Sequence, residues 1–216
     1  MQKFWLRKNA SENLLIFALG WASSPGDVAH VSAPAHDVLC VFDYRELEPL
    51  SPEEFCDYKK IILVAWSFGV WAAERVAARL PLARAIAFNG TPAPVNDKFG
   101  MRPRLVALTI RGLEHAGMDA FNGKTFGGEN RVPERKFGDR TLAEKIAELS
   151  VLAEKAQEDS SEKIAWSKAF VSPRDEIFPP AAAFAYWRAR GIEPEEIDTP
   201  HYPFANPEIL LREIAE

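Results

Sequence analysis

Short apolar runs alternate with amphipathic segments along the chain. The runs at 14–19, 38–42, 61–64, 85–88 and 168–171 have the length and composition of buried strands. Between and after them, helical spacing of apolar residues predicts helices at 70–80, 180–190 and 207–215, and a weak polar strand is predicted at 195–198. This alternation favours an α/β fold with a mostly parallel sheet flanked by helices, in a single domain spanning 1–216.

Residues 97–157 interrupt this alternation. Apolar residues recur at helical spacing in two parts of the interval, 105–113 and 142–152, and a middle rich in Gly, Asn and Lys (121–140) separates them. The interval contains no apolar run typical of a strand. The pattern predicts a helical insertion that forms a lid over the carboxyl edge of the sheet.

The segment KIILVAWSFGVWAA at 60–73 joins an apolar strand directly to a helix through Ser67. This arrangement is typical of a nucleophile elbow, in which the serine hydroxyl is exposed at the carboxyl end of the sheet. Ala65 stands where the G-x-S-x-G pattern has its first glycine, and alanine also meets the requirement for a small residue. The alternative is a buried strand followed by a serine N-cap.

A serine nucleophile needs a histidine base and a carboxylate that orients the base. His201 lies in a predicted loop before the final helix, whereas His115 falls within a predicted helix of the lid. Asp175 follows the predicted strand at 168–171 and is the preferred acid. Glu176 and Asp97 remain alternatives, and a turn-forming role would equally explain an aspartate here.

Two backbone N–H groups are needed to stabilise an oxyanion. Phe68, directly after the serine, is expected to supply one. Trp21, in the turn that begins at Gly20, is expected to supply the other. The Trp21 side chain could cover the pocket or belong to the core.

Charge and composition exclude several classes of protein. The formal net charge is −5, whereas nucleic-acid-binding domains usually carry a basic surface. The amino-terminal residues do not resemble a secretory signal, and no uncharged apolar stretch reaches the length of a membrane span, so we expect a cytoplasmic protein with no membrane partner. The two cysteines, Cys40 in a predicted strand and Cys56 on a predicted helix, are expected to be buried and structural.

Other polar groups give weaker signals. His30 and His36 are expected to be ordinary surface or helix-end residues, because no Cys or carboxylate set completes a metal site around them. The segment 43–45 (Asp-Tyr-Arg) is expected to be a structural turn. No phosphate-binding glycine loop is present.

Five segments together resemble the compact α/β-hydrolases of biotin synthesis. They are FALGWA at 17–22, FDY at 42–44, AWSFGVWAA at 65–73, FNGTP at 88–92 and PHYPF at 200–204. The chain is most similar to the BioG-type pimeloyl-[acyl-carrier protein] methyl ester esterases, over essentially its whole length. The resemblance implies hydrolysis of the methyl ester of pimeloyl-acyl carrier protein, with Ser67 as nucleophile, Asp175 as acid and His201 as base. It also implies that neither a metal nor a cofactor is expected.

An acidic carrier protein as partner also fits the charge of the insertion. Residues 101–140 contain eight Lys or Arg and five Asp or Glu, which gives this segment a net positive charge in a negative chain. A solvated charged helix face would give the same count. The substrate-binding residues that we expect are Trp21, Trp66, Phe121, Phe126, Arg102 and Arg104.

Two alternative functions remain open at this point. A generic short-chain esterase or an acyl-carrier thioesterase would use the same elbow, because both attack a carbonyl carbon. A catalytically inactive hydrolase fold that serves as a binding module is the second alternative, although Ser67, Asp175 and His201 occur in the order of an active enzyme.

Overall fold

The computed structural model describes residues 1–128, 140–158 and 163–215. The strands in these residues are β1 (Gln2–Arg7), β2 (Asn13–Ala18), β3 (Asp37–Phe42), β4 (Lys60–Trp66), β5 (Leu82–Phe88), β6 (Lys168–Val171) and β7 (Glu195–Glu196). The α-helices are α1 (Phe68–Val76), α2 (Pro103–Ala116), α3 (Asp119–Thr125), α4 (Leu142–Lys155), α5 (Pro180–Ala189) and α6 (Glu208–Ala215).

The strands form one sheet in the order β1-β3-β2-β4-β5-β6-β7. All neighbours are parallel except β1, which pairs antiparallel with β3 at the edge. The sequence pattern did not predict β1. Its residues are half-buried or exposed and include Lys3 and Arg7, so the segment lacks the continuous apolar run that marks a strand buried on both faces.

Helices cover both faces of the sheet. Alternate residues of β2 point to opposite sides, so that Leu14 and Ile16 belong to one apolar cluster and Leu15 and Phe17 to the other. Residues of α1 and α5 pack in the first cluster, and residues of α6 pack in the second. This two-sided burial explains why the central strands are continuous apolar runs.

The helices α2, α3 and α4 lie between β5 and β6, within the interval predicted as an insertion. Helices α2 and α4 pack together, and Val106 and Leu149 share a third apolar cluster with Phe68 at the start of α1. Helix α3 begins at Asp119 and extends into the middle at 121–140, and the sequence pattern did not identify this helix. Residues 129–139 of that middle lie outside the described part of the chain.

The two cysteines differ in their surroundings. Cys40 is buried in β3 as predicted, and burial raises the pKa of its thiol well above the usual value. Cys56 is exposed, so the prediction of a buried residue on a helix was wrong. It follows a short 3₁₀ turn (Pro52–Phe55) whose buried apolar residue is Phe55.

None of the helices in the described ranges combines the length and hydrophobicity needed to cross a bilayer.

Candidate active site

Ser67 stands at the sharp turn between β4 and α1. Its φ of 58° lies in the left-handed region, which costs a non-glycine residue roughly 1–3 kcal/mol. Two glycines permit the turn. A Cβ on Gly69 would lie 2.1 Å from the carbonyl oxygen of Ala18, and one on Gly90 would lie 2.5 Å from that of Ser67. The close approach of backbone to backbone therefore requires glycine at both positions.

Ala65, the departure from the glycine of the elbow pattern, is fully buried in β4. It pairs with Ala18 of β2 and Ala87 of β5 in the parallel sheet. The three alanines share an apolar cluster with residues of α1, so their small side chains let that helix pack close to the sheet. This supports the expectation that the position requires a small residue.

The structure brings Ser67, His201 and Asp175 together although they are far apart in the sequence. The Nε2 atom of His201 lies 3.0 Å from Ser67 Oγ, and Nδ1 lies 2.7 Å from Asp175 Oδ2. The side chains of His201 and Asp175 are each 2% exposed. Ser67 follows β4, Asp175 follows β6 and His201 follows β7, so all three lie at the carboxyl edge of the sheet.

The Asp175 carboxylate is fixed by its own loop. Its Oδ1 atom accepts backbone N–H groups from Ile177 and Phe178, both at 2.8 Å, which leaves Oδ2 for the histidine. The competing carboxylates, Glu176 and Asp97, are exposed. His115 is exposed on α2 and contacts the carbonyl of Arg111 within the same helix. The geometry therefore joins His201 to Asp175 rather than to either competitor.

Asn89 and Trp66 hold the loop that carries His201. The Asn89 side chain donates to the carbonyls of Pro200 (3.2 Å) and His201 (2.9 Å), and its oxygen accepts the N–H of Ser172 (2.8 Å). The indole N–H of Trp66 donates to the same His201 carbonyl at 2.9 Å. Sequence analysis assigned no such role to either residue, although Asn89 lies in one of the segments that carry the family resemblance.

The turn after β2 faces Ser67. A Cβ on Gly20 would lie 3.2 Å from the Cβ of Ser67, so this turn passes directly over the serine. The next two residues are Trp21, whose indole N–H donates to the carbonyl of Lys145, and Ala22, whose φ is 63°. The backbone N–H groups of Trp21 and Phe68 find no acceptor among the described residues. Both residues also line the cavity next to Ser67.

Glu148 of α4 contacts this turn from the opposite side. It is fully buried and accepts the N–H groups of Ala22 (3.2 Å) and Tyr44 (2.9 Å). Burial raises the pKa of the Glu148 carboxyl above its usual value, although the Arg140 guanidinium at 2.7 Å opposes that rise. The buried position of an acidic residue on the apolar face of α4 is a signal that sequence analysis did not use.

A cavity of about 460 Å³ opens above Ser67. Its walls are mainly apolar and come from the turn after β2 and from the helices of the insertion. Leu105 and Leu108 of α2 line it while remaining about half exposed (52% and 51%), so the cavity is open to solvent along this helix.

Four of the six predicted substrate-binding residues line the cavity, namely Trp21, Trp66, Phe121 and Phe126. Trp21 and Phe121 pack edge to face at 4.7 Å, and Trp21 is buried, so its side chain is both part of the cavity wall and part of a core cluster. Arg102 and Arg104 do not line the cavity. They are exposed at the start of α2, which separates them from the space next to Ser67.

The remaining candidates have structural contacts. His30 Nε2 lies 2.6 Å from the carbonyl of Phe204. His36 is buried, contrary to the expectation of a surface residue, and burial together with the charge of Lys60 lowers its pKa. Asp43 is in a turn, as expected, with φ of 58°.

The parallel sheet, the helices on both faces and the elbow define an α/β-hydrolase, as the sequence predicted. Solved structures agree. A crystal structure of BioG from Haemophilus influenzae matches with a TM-score of 0.85 and 33% identity, over 95% of each chain. The enol-lactonase from Burkholderia xenovorans LB400 shares the fold, with a TM-score of 0.68 and 15% identity, over 99% of this chain and 94% of that one.

The family is also defined. Residues 1–208 match the family described as pimeloyl-ACP methyl esterase BioG, and the chain belongs to this family. A malonyl-[acyl-carrier protein] O-methyltransferase from Bacteroides fragilis (strain 638R) is 31% identical over 201 residues. These cover 91% of this chain but only 40% of that relative. Family membership supports a hydrolase of the esterase kind.

Proposed function

We propose that the protein is a serine carboxylesterase that hydrolyses the methyl ester of pimeloyl-acyl carrier protein in biotin synthesis. The observation that carries this proposal is the hydrogen-bonded series from Ser67 Oγ through His201 to Asp175 at the base of the cavity. A hydroxyl, an imidazole and a carboxylate in this order form the arrangement that activates a serine towards acyl carbons.

In the first step, His201 Nε2 removes the hydroxyl proton of Ser67 while Oγ attacks the ester carbonyl carbon. The N–H groups of Trp21 and Phe68 stabilise the oxyanion of the tetrahedral intermediate. When the intermediate collapses, the bond to the methoxy oxygen breaks. His201 gives its proton to that oxygen, methanol leaves, and the acyl group remains on Ser67. Asp175 holds the imidazole in orientation and stabilises its positive charge.

In the second step, water replaces methanol. His201 takes a proton from the water as its oxygen attacks the acyl-enzyme carbonyl. The same two N–H groups stabilise the second oxyanion. Collapse of this intermediate breaks the bond to Ser67 Oγ, which regains a proton from His201. The product is the free ω-carboxylate on the carrier protein.

The cavity is of a suitable size and polarity for this substrate. A volume of about 460 Å³ with mainly apolar walls is typical of sites that bury a small flexible ligand. A pimeloyl chain is a row of methylene groups, which an apolar wall stabilises by removing them from water. The open side along Leu105 and Leu108 leaves room for the part of the acyl group that connects to its carrier.

Exposed charge at the start of the insertion supports an acidic carrier protein as partner. In residues 101–128, four cations are exposed (Arg102, Arg104, Arg111 and Lys124) against two exposed anions (Glu114 and Asp119). Over the whole described part of 97–157 the proportion of cations is smaller, with six exposed cations and four exposed anions. Arg140, which sequence analysis counted among the basic residues, is instead buried against Glu148. Arg131, Arg135 and Lys136 lie outside the described residues. A positive surface increases the rate of encounter with a negatively charged partner.

The proposal extends to the organisation of the chain. Residues 1–216 act as one catalytic domain, in which 97–157 form the lid that covers the site. The enzyme uses neither a metal nor a cofactor, and it acts in the cytoplasm without nucleic-acid or membrane partners.

The decisive experiment replaces Ser67 with alanine and measures methanol released from methyl pimeloyl-carrier protein. Ser150→Ala is the matched control, because Ser150 is exposed on α4 and donates only within its own helix, to the carbonyl of Ile146. We expect Ser67→Ala to lose turnover and to retain carrier-protein binding, and Ser150→Ala to match wild type. Hydrolysis by Ser67→Ala at the wild-type rate would refute the assignment.

Three further measurements separate the alternatives. Release of a free carrier thiol instead of methanol would indicate a thioesterase. Equal or faster turnover of simple aryl esters would indicate a generic esterase. Absence of labelling by a fluorophosphonate would indicate an inactive binding module. Complementation of a biotin auxotroph that lacks its esterase, with Ser67→Ala as control, tests the role in the cell.

A further inference from the structure

The buried carboxylate of Glu148 belongs to none of the catalytic groups, yet it contacts the turn that faces Ser67. Glu148 lies on α4, in the insertion, and its two oxygens take different donors. Oε2 accepts the N–H of Ala22 (3.2 Å) and the guanidinium of Arg140 (2.7 Å). Oε1 accepts the N–H of Tyr44 at 2.9 Å. Both carboxylate oxygens are therefore used by donors from outside α4.

The contact with Ala22 sets the direction of the backbone at the turn. Ala22 has φ of 63°, a conformation that an alanine adopts only when its surroundings hold it there. With the N–H of Ala22 directed at Glu148, the N–H of the preceding residue, Trp21, remains available for an oxyanion. The indole N–H of Trp21 donates to the carbonyl of Lys145 on α4 at 2.7 Å, and this second bond fixes Trp21 through its side chain.

The contact with Tyr44 ties a second turn to the same carboxylate. Asp43, directly before Tyr44, also has a left-handed φ of 58°. The Tyr44 hydroxyl donates to the carbonyl of Leu19 at 2.7 Å, one residue before Gly20. Glu148 and Tyr44 thus hold the turn after β2 from both of its ends.

Arg140 offsets the buried charge. Its side chain is 8% exposed, and it pairs with Glu148 at 2.7 Å and with Asp43 at 3.3 Å. It also donates to the carbonyl of Ser23 at 3.3 Å. A buried carboxylate is tolerated only when its charge is paired and its lone pairs are satisfied.

We propose that Glu148 is a positioning residue for catalysis: through the N–H of Ala22 it fixes the turn that presents the N–H of Trp21 to the oxyanion. It follows that α4 is a fixed part of the insertion, bonded to the turn after β2 through Glu148 and Lys145. This inference rests on the proposed function, because it assumes an oxyanion next to Ser67.

The test compares Glu148→Gln with Glu213→Gln as the matched control. Glu213 is equally buried and paired with cations, but its partners Arg84 and Lys168 lie at the opposite edge of the sheet, where β5 and β6 begin. Glutamine at 148 keeps one acceptor oxygen but replaces the other with an NH₂ group, which then faces the N–H donors that the second carboxylate oxygen accepts in wild type. Glutamine at 213 removes the same kind of charge far from Ser67.

For Glu148→Gln we expect kcat, per active site, to fall about tenfold to a hundredfold, with KM within about threefold of wild type, since an oxyanion donor acts mainly on the transition state. The rate of fluorophosphonate labelling should fall in parallel. Glu213→Gln should keep wild-type kcat and labelling rate even though it is less stable. Loss of stability in both variants with unchanged kcat in both would show that Glu148 is merely structural and would overturn the proposal.

Glu148→Asp decides the question if Glu148→Gln does not fold. Aspartate keeps the charge beside Arg140 but is shorter by one methylene group, so it cannot reach both N–H groups. We expect a fall in kcat without a matching rise in KM, and unchanged kcat would overturn the inference. The proposed function is tested separately from the role of Glu148. Turnover by the wild type that is lost in Ser67→Ala supports the proposed function, whatever the kinetics of the Glu148 variants. A wild type that neither hydrolyses the ester nor reacts with fluorophosphonate would overturn both.

Discussion

The side-chain amide of Asn89 donates to the backbone carbonyl of His201 at 2.9 Å. Asn89 follows β5, has φ of 43° and is 1% exposed. Its oxygen accepts the N–H of Ser172 at 2.8 Å, three residues before Asp175. One side chain therefore joins the loop that carries the histidine to the loop that carries the aspartate, and it fixes the distance between them.

Asn89→Asp tests this connection. Aspartate has nearly the same shape and tolerates a left-handed φ, but it replaces an N–H donor with an oxygen that repels the carbonyls of Pro200 and His201. We expect kcat to fall about tenfold or more, because a small displacement of catalytic groups is costly. Steady-state kinetics of methanol release would measure it.

Asn13→Asp is the control for that variant. The amide of Asn13 also donates to a backbone carbonyl, that of Ala35 at 3.4 Å, but at the amino end of β2. The Asn13→Asp variant should retain the wild-type kcat. Equal kinetics for Asn89→Asp and Asn13→Asp would show that the contact with His201 does not position the catalytic loop.

Asp175→Asn should leave the loop intact and remove most of the activity. The asparagine oxygen can still accept the N–H groups of Ile177 and Phe178. Its NH₂ group then faces His201 Nδ1, which favours the wrong tautomer of the imidazole. In a well-studied triad the same change lowers kcat about 10⁴-fold, and we expect a loss of comparable size here. Asp198→Asn, at an exposed aspartate, is the control and should be fully active.

Gly90→Ala should damage both stability and activity. The added Cβ would lie 2.5 Å from the carbonyl oxygen of Ser67 and 2.9 Å from its Cα, so the elbow itself must move. Gly123→Ala adds the same methyl group within α3, where nothing lies within 4 Å. We expect it to stabilise the protein by about 0.5–1 kcal/mol. Thermal denaturation and kinetics of both variants would reveal the contrast, and equal effects would contradict it.

The ion cluster around Glu213 predicts a loss of stability in acid. Burial raises the pKa of Glu213, but hydrogen bonds and charges from Lys168, Arg212 and Arg84 outweigh burial and lower the pKa below its ordinary value of 4.5. As pH falls through 4.5, the unfolded chain binds a proton before the folded chain does. The free energy of unfolding therefore decreases, until the pH passes the lowered pKa of the folded state.

Glu213→Gln removes this contribution. At neutral pH the free energy of unfolding of the variant should be lower than that of wild type. The decrease should be smaller than the roughly 3–5 kcal/mol typical of a broken buried ion pair, because the cations around Glu213 keep contact with water. The difference in free energy of unfolding between the variant and wild type should become smaller as pH falls. Urea denaturation at neutral pH and at steps below 4.5 would measure it. A difference that stays constant across this range would mean that Glu213 has an ordinary pKa in the folded state.

Local pattern was enough to predict most of the sheet. Strands buried on both faces are continuous apolar runs, and such runs predicted β2 to β6 because burial on two sides requires it. It was not enough for β1, which is stabilised by pairing with β3 rather than by its own hydrophobicity. Nor did it identify α3, whose Asn and Gly residues have low helix propensity and depend on tertiary context.

The candidate catalytic residues were also found from local signals. Ser67 lies in a strand-to-helix turn with its own sequence pattern, and the parallel topology places Asp175 and His201 at the same edge. The role of Asn89 had no such signal, and Glu148 gave only an unused one, its position on the apolar face of α4. Their partners are backbone groups far along the chain, and a backbone N–H or carbonyl has no letter in the sequence.

The sequence by itself determined which side chains can react and where the buried strands lie, because chemistry belongs to residue type and a strand buried on both faces is a continuous apolar run. The tertiary structure alone decided which carboxylate meets the imidazole, which arginine is turned inward and which turn is held in a strained conformation. These depend on distances of a few ångströms between segments that are separate along the chain, by 26 residues for Asp175 and His201 and by 126 residues for Ala22 and Glu148. Such distances are set by packing of the whole fold.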